Sequence, residues 1–150
     1  MTDPYTDTAT CVARLKREYE KHQKLVLAVD FDDTCHPFHG TNSTHDRVFN
    51  LLYEAQRREF YIVIFTASDP SRYDMMREYM LSRGIKVHAV NQNAIPLPYG
   101  NHGKIYYNHF LDDRAGLRES CDILEQLFED IWSDAYPDED RDDHQARLYR

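Results

Sequence analysis

The stretch Leu25-Val26-Leu27-Ala28-Val29-Asp30-Phe31-Asp32-Asp33-Thr34 constrains the fold more than any other part of the chain. Five apolar residues in an unbroken run suit a strand buried on both faces, the kind found in parallel sheets. The run then stops in three carboxylates and a hydroxyl, interrupted only by Phe31. In an extended chain residues i and i+2 point the same way, so Asp30 and Asp32 project together past the strand's C-terminal end. Carboxylates placed side by side repel, and burying them costs energy unless a cation or a shared proton compensates. Taken alone, the loop also reads as a polar turn closed by Asp side chains on the backbone.

The pattern returns twice. Phe60-Tyr61-Ile62-Val63-Ile64-Phe65 is a second apolar run and ends at Thr66-Ala67-Ser68, while Ile105 to Leu111 ends in Asp112-Asp113-Arg114. A partly polar run, Ile85 to Val90, reads as a further strand nearer an edge. Between these runs the apolar residues take helical spacing. Val12, Leu15 and Tyr19 mark a helix over 10–22, and Val48, Leu51, Leu52 and Ala55 mark one ending near Arg58. Tyr73, Met76 and Met80 mark a third, and Leu117, Cys121, Leu124, Phe128 and Ile131 a long fourth. Ser43 with Asp46 reads as a variant N-cap box, and Asp69 before Pro70 as a helix start. Residues 91–103, with Pro96, Pro98, Gly100 and Gly103, read as an irregular loop.

Strand and helix alternate throughout, which predicts an α/β fold: a Rossmann-like parallel sheet with helices on both faces. In such sheets ligands sit beyond the carboxyl ends of the strands, where Asp30, Asp32, Thr66, Asp112 and Asp113 all fall. The 150 residues suit one domain spanning 1–150, with 1–8 and 134–150 loose or peripheral. A net charge of −8 argues against tight unaided binding to a long nucleic acid. The sequence has no apolar run of membrane-spanning length and no secretory signal. Cys11, Cys35 and Cys121 form neither a disulfide framework nor a CxxC site, so a cytoplasmic compartment is expected. Cys35, His36, His39 and His45 fit no common zinc spacing and are read as the lip of the site.

Strand–DxDxT (Asp30, Asp32, Thr34), strand–Thr (Thr66) and strand–Asp-Asp (Asp112, Asp113), in that order, resemble motifs I, II and IV of the haloacid dehalogenase-like phosphohydrolases. The resemblance covers roughly residues 25–131. It implies Mg²⁺-dependent hydrolysis of a phosphomonoester, with Asp30 as the nucleophile that forms an aspartyl-phosphate. Asp32 would serve as acid and base, and Thr66 would hydrogen-bond the phosphoryl oxygens. Mg²⁺ would be held by Asp30, the Asp32 carbonyl, Asp112 and Asp113. The physical logic agrees, because a carboxylate attacks a phosphate dianion only where a cation cancels their repulsion.

The family's phosphate-binding lysine has Lys104 as its nearest counterpart, with Arg114 as the alternative cation. Were all of 105–111 one extended strand, Lys104 would sit about 25 Å from the acidic edge, so its role requires a shorter strand. The segments where this family inserts caps are about ten and about a dozen residues long, too short for a domain. A capless, open site suits bulky substrates, a nucleotide or an oligonucleotide end first and a sugar phosphate second, or a lid supplied by a second copy or a partner. The rival reading is a non-catalytic phosphate- or metal-binding domain like the phospho-receivers. Their acidic pair follows the first strand, however, and here Asp112 and Asp113 follow the last.

Overall fold

The computed structural model describes residues 6–40, 42–95 and 103–137. The elements in chain order are α1 (Thr8–His22), β1 (Val26–Val29), α2 (Asp46–Arg57), β2 (Tyr61–Ile64), α3 (Tyr73–Ser82), β3 (Ala89–Val90), β4 (His109–Leu111) and α4 (Leu117–Ala135). Every strand pairing is parallel, and the order across the sheet is β3-β2-β1-β4. The fold is the Rossmann-like α/β class that the alternation predicts. Between β1 and β4 the strand order reverses, because β2 and β3 build outwards on one side and β4 returns to the other. That reversal opens a crevice at the carboxyl ends of β1 and β4, a preferred ligand position in such sheets.

Helix cover is uneven. Leu27, Val29, Ile62 and Ile64 share one face and join a single core with Leu15 of α1, Leu52 of α2, Met76 and Met80 of α3, and Leu124 and Phe128 of α4. Residues of the opposite parity, Val26, Val63 and Ala89, meet Ile105 with Ala94 and Tyr107 from the connection between β3 and β4. No helix among the described residues is long and apolar enough to cross a membrane.

Two strands are shorter than their apolar runs predict. The run 105–111 pairs only over 109–111, because the Tyr106 N–H is taken by Asn93 Oδ1 at 2.8 Å and the chain turns away from the ladder. Asn108 closes the gap with its side chain, accepting the Val26 N–H at 2.7 Å. The run 85–90 pairs only at Ala89 and Val90; Lys86 N–H goes instead to Gln56 Oε1 at 2.8 Å, and the His88 ring accepts the Ile62 N–H at 3.0 Å.

Asp69 caps its turn as read, accepting from the Ser71 N–H at 2.9 Å. The Ser43–Asp46 cap does not form: Ser43 Oγ accepts from the His45 N–H at 3.1 Å, and Asp46 pairs with Arg83. Helix α1 starts earlier than expected, with Asp7 as its cap. Residues 134 and 135, expected to be loose, continue α4, and Asp134 pairs with Lys16 at 2.8 Å; of the ends expected to be loose over 1–8 and 134–150, and of the loop expected over 91–103, residues 1–5, 138–150 and 96–102 lie outside the described residues.

Candidate functional site

The chain leaving β1 turns sharply rather than continuing. Cys35 and His36 N–H groups both donate to the Phe31 carbonyl at 3.0 Å, and the Asp33 N–H donates to the His36 carbonyl at 2.7 Å. Phe31 itself is fully buried, its ring stacked on His36 and edge-on to Tyr79. With this apolar residue sunk into the core, Asp30 and Asp32 are left at the rim of one cleft of about 540 Å³. Thr66, Asp112, Asp113 and Arg114 line the same cleft, so three strand ends converge there.

Thr34, wholly buried, ties two of those ends together. Its hydroxyl accepts the Asp113 N–H at 2.9 Å and can donate to Asp30 Oδ2 at 3.1 Å or to Asp113 Oδ1 at 3.3 Å. The Asp30 N–H donates to the Leu111 carbonyl at 2.8 Å. Oxygens of Asp30, Asp112 and Asp113 come within 4.8 Å of one another. Burial first, and then the charge of Asp112, push the Asp30 carboxyl up to about 7. A converging set of carboxylate oxygens of this kind could hold a hard divalent cation.

Asp32 lies in a different electrostatic setting. Its burial disfavours charge, but hydrogen bonds from Arg72 and Ser68 outweigh this and hold the carboxyl below its usual range. Arg72 grips both carboxylate oxygens at 3.0 Å, and Ser68 Oγ donates to Oδ2 at 3.0 Å. The Asp32 side chain is therefore apart from the metal-type cluster of Asp30, Asp112 and Asp113. Thr66 is fixed through its backbone: the Asn91 side chain accepts its N–H at 2.8 Å and donates to its carbonyl at 2.7 Å. Its Oγ1 accepts the Ser68 N–H at 3.1 Å, which leaves the hydroxyl proton for another acceptor.

Lys104 is not among the residues lining this cleft. The strand is short, as its role required, but the neighbouring Ile105 packs with Val26 at the start of β1, and the Lys104 ammonium lies 6.0 Å from the centre of the Tyr107 ring. Arg114, the alternative cation, does line the cleft, and Arg72 adds a cation that motif reading did not assign to Asp32. The sequence offers Arg72 only as one of the cations able to line a short groove, with Lys104, Arg114 and Arg47, and gives no sign of its pairing with Asp32. Asp33 was not a candidate either; its carboxylate accepts the N–H groups of Phe38 and His39 at 3.0 and 3.1 Å and pairs with the His39 ring. Cys35, His36, His39 and His45 form no metal-holding group among the described residues, and burial pushes the Cys35 thiol far up.

No protein-family model and no curated protein matches the chain. Among solved structures it is similar to a conserved protein coded by a locus from Bacteroides thetaiotaomicron, with a TM-score of 0.58 and 23% identity. The match covers 75% of this chain and 98% of that one. At that identity the likeness shows the α/β fold.

Proposed function

We propose that the chain is a Mg²⁺-dependent phosphomonoester hydrolase of the haloacid dehalogenase-like type, acting through Asp30. The observation that carries this reading is the approach of Asp30, Asp112 and Asp113 to within 4.8 Å at the reversal of strand order. Asp30, Asp112 and Asp113 would hold the cation, which when bound would cancel the repulsion between the Asp30 carboxylate and a phosphate dianion.

In the first step an Asp30 oxygen attacks phosphorus, the bond to the ester oxygen breaks, and that oxygen leaves with a proton from Asp32. In the second, Asp32 takes a proton from water as it attacks the aspartyl-phosphate, releasing inorganic phosphate and restoring the Asp30 carboxylate. Thr66 donates its hydroxyl proton to a phosphoryl oxygen. Asp32 can supply a proton only after Arg72 loosens its hold, and a doubly charged phosphoryl group is a strong competing partner for that guanidinium.

Among the described residues no domain covers the cleft, so a nucleotide or an oligonucleotide end reaches it more readily than it would a capped site. A second copy or a partner acting as lid belongs to the same reading. A cytoplasmic setting suits its three free thiols, Cys11, Cys35 and Cys121. Release of phosphate from a generic aryl phosphate with Mg²⁺ tests the reading against a binding domain, which would take up the phosphate or the metal without turnover.

A further inference from the structure

Two aromatic rings at the mouth of the cleft have no part in phosphoryl chemistry. Phe38 comes from the loop after β1 and Phe65 from the end of β2, and both line the cleft that holds Asp30 and Thr66. Phe38 is 56% exposed and Phe65 39%. Neither sits on a loose segment. The Phe38 N–H is held by Asp33, and its ring stands edge-on to His39 at 5.0 Å. Phe65 rests on Phe110 at 5.7 Å, which in turn meets Tyr107 at 5.2 Å. Rings braced from behind and open in front forgo burial that a folded chain would otherwise gain.

We infer that this mouth is a subsite for a planar aromatic group, and that the substrate class is a nucleoside monophosphate, its base against Phe38 and Phe65 and its phosphate at Asp30. The phosphate end rests on the hydrolase reading above; the base end rests on the rings. The Arg72 guanidinium already lies 5.6 Å over the Phe38 ring, so that face accepts a flat, delocalised group. A volume of about 540 Å³ exceeds what a phosphoryl group needs and falls in the range of small-ligand sites. A long strand is disfavoured, because among the described residues the lining carries one Lys or Arg side chain, Arg114, against five Asp.

Adenosine 5′-monophosphate and ribose 5-phosphate decide the matter, because they share one leaving oxygen and differ in the base. With Mg²⁺, kcat/KM should be on the order of tenfold higher for the nucleotide. Phe38→Ala and Phe65→Leu should each cost the nucleotide several-fold more than the sugar phosphate; the Leu change keeps the apolar packing on Phe110 while removing the ring. Equal kcat/KM for the two compounds, or a preference that survives both changes, overturns the inference. Should neither compound release phosphate, the hydrolase reading fails, and calorimetric titration with the same pair still decides this one. Tighter binding of the nucleotide, weakened by Phe38→Ala, supports the subsite, and equal or absent binding of both refutes it.

Discussion

The guanidinium of Arg72 meets both carboxylate oxygens of Asp32, Nη1 to Oδ2 and Nη2 to Oδ1, each at 3.0 Å. Two parallel charge-assisted hydrogen bonds fix the carboxylate's orientation as well as its charge. The second carboxylate of the DxDxT motif is thus clamped, while the first, Asp30, faces Asp112 and Asp113.

Removing the clamp should release Asp32. In Arg72→Ala the Asp32 carboxyl should titrate at higher pH than in the parent chain, read by NMR of the side-chain carbon. Stability should drop by about 1 kcal/mol at neutral pH, the scale of a partly exposed ion pair. Because the folded-state value is depressed, this contribution is present above the unfolded value near 4 and fades as pH falls through the lower folded value. The parent and variant melting curves should therefore converge in acid. A constant gap across that range would show that the clamp is not electrostatic.

The opposite sign applies to Asp30. Its carboxyl is raised to about 7, so the folded chain without metal binds the extra proton more readily than the unfolded chain. Stability should be greatest below about pH 4 on this account and fall as pH rises through 7, by roughly 1–2 kcal/mol once solvent screening is allowed for. Mg²⁺ should reverse the loss, with a thermal shift that is small at pH 5.5 and large at pH 8. Asp112→Asn should shrink that shift. A Mg²⁺ shift independent of pH would place the cation elsewhere.

Asn91 holds the backbone of Thr66 on both sides and also donates to the Tyr73 hydroxyl at 2.7 Å. Asn91→Ala leaves a half-buried N–H and C=O without these partners and should cost about 1–3 kcal/mol in a urea melt. Asn91→Asp keeps the acceptor but loses the donor, and should fall between the two.

How much of this was legible in the sequence depended on where the interactions lie. The strand cores, with Val26–Val29 and Tyr61–Ile64 flush in register, followed from unbroken apolar runs. The convergence of Asp30, Thr66, Asp112 and Asp113 followed from three such runs ending in polar groups. What could not be read was tertiary capture of backbone groups by side chains. Asn93 drawing off Tyr106, and Gln56 drawing off Lys86, shorten two strands whose composition alone suits pairing. The same limit hid the pairing of Arg72 with Asp32, 40 residues away, and misplaced Lys104, whose position depends on the path of the chain around Ile105.

The division of labour between the two motif carboxylates has a chemical signature. If Asp32 supplies the proton, Asp32→Asn should slow alkyl phosphates by about 10²–10⁴ and aryl phosphates far less, since a good leaving group departs without a proton. Equal losses in the two series would remove Asp32 from that role.

The most direct measurement of the account is phosphate release by the parent chain and by Asp30→Asn, each with Mg²⁺ and with excess chelator, alongside circular dichroism. Turnover is expected from the parent with Mg²⁺, none with chelator, and none from the variant under either condition, with an unchanged spectrum because Asn has the shape of Asp. Full activity in Asp30→Asn, or activity in the parent that chelator leaves untouched, would contradict it.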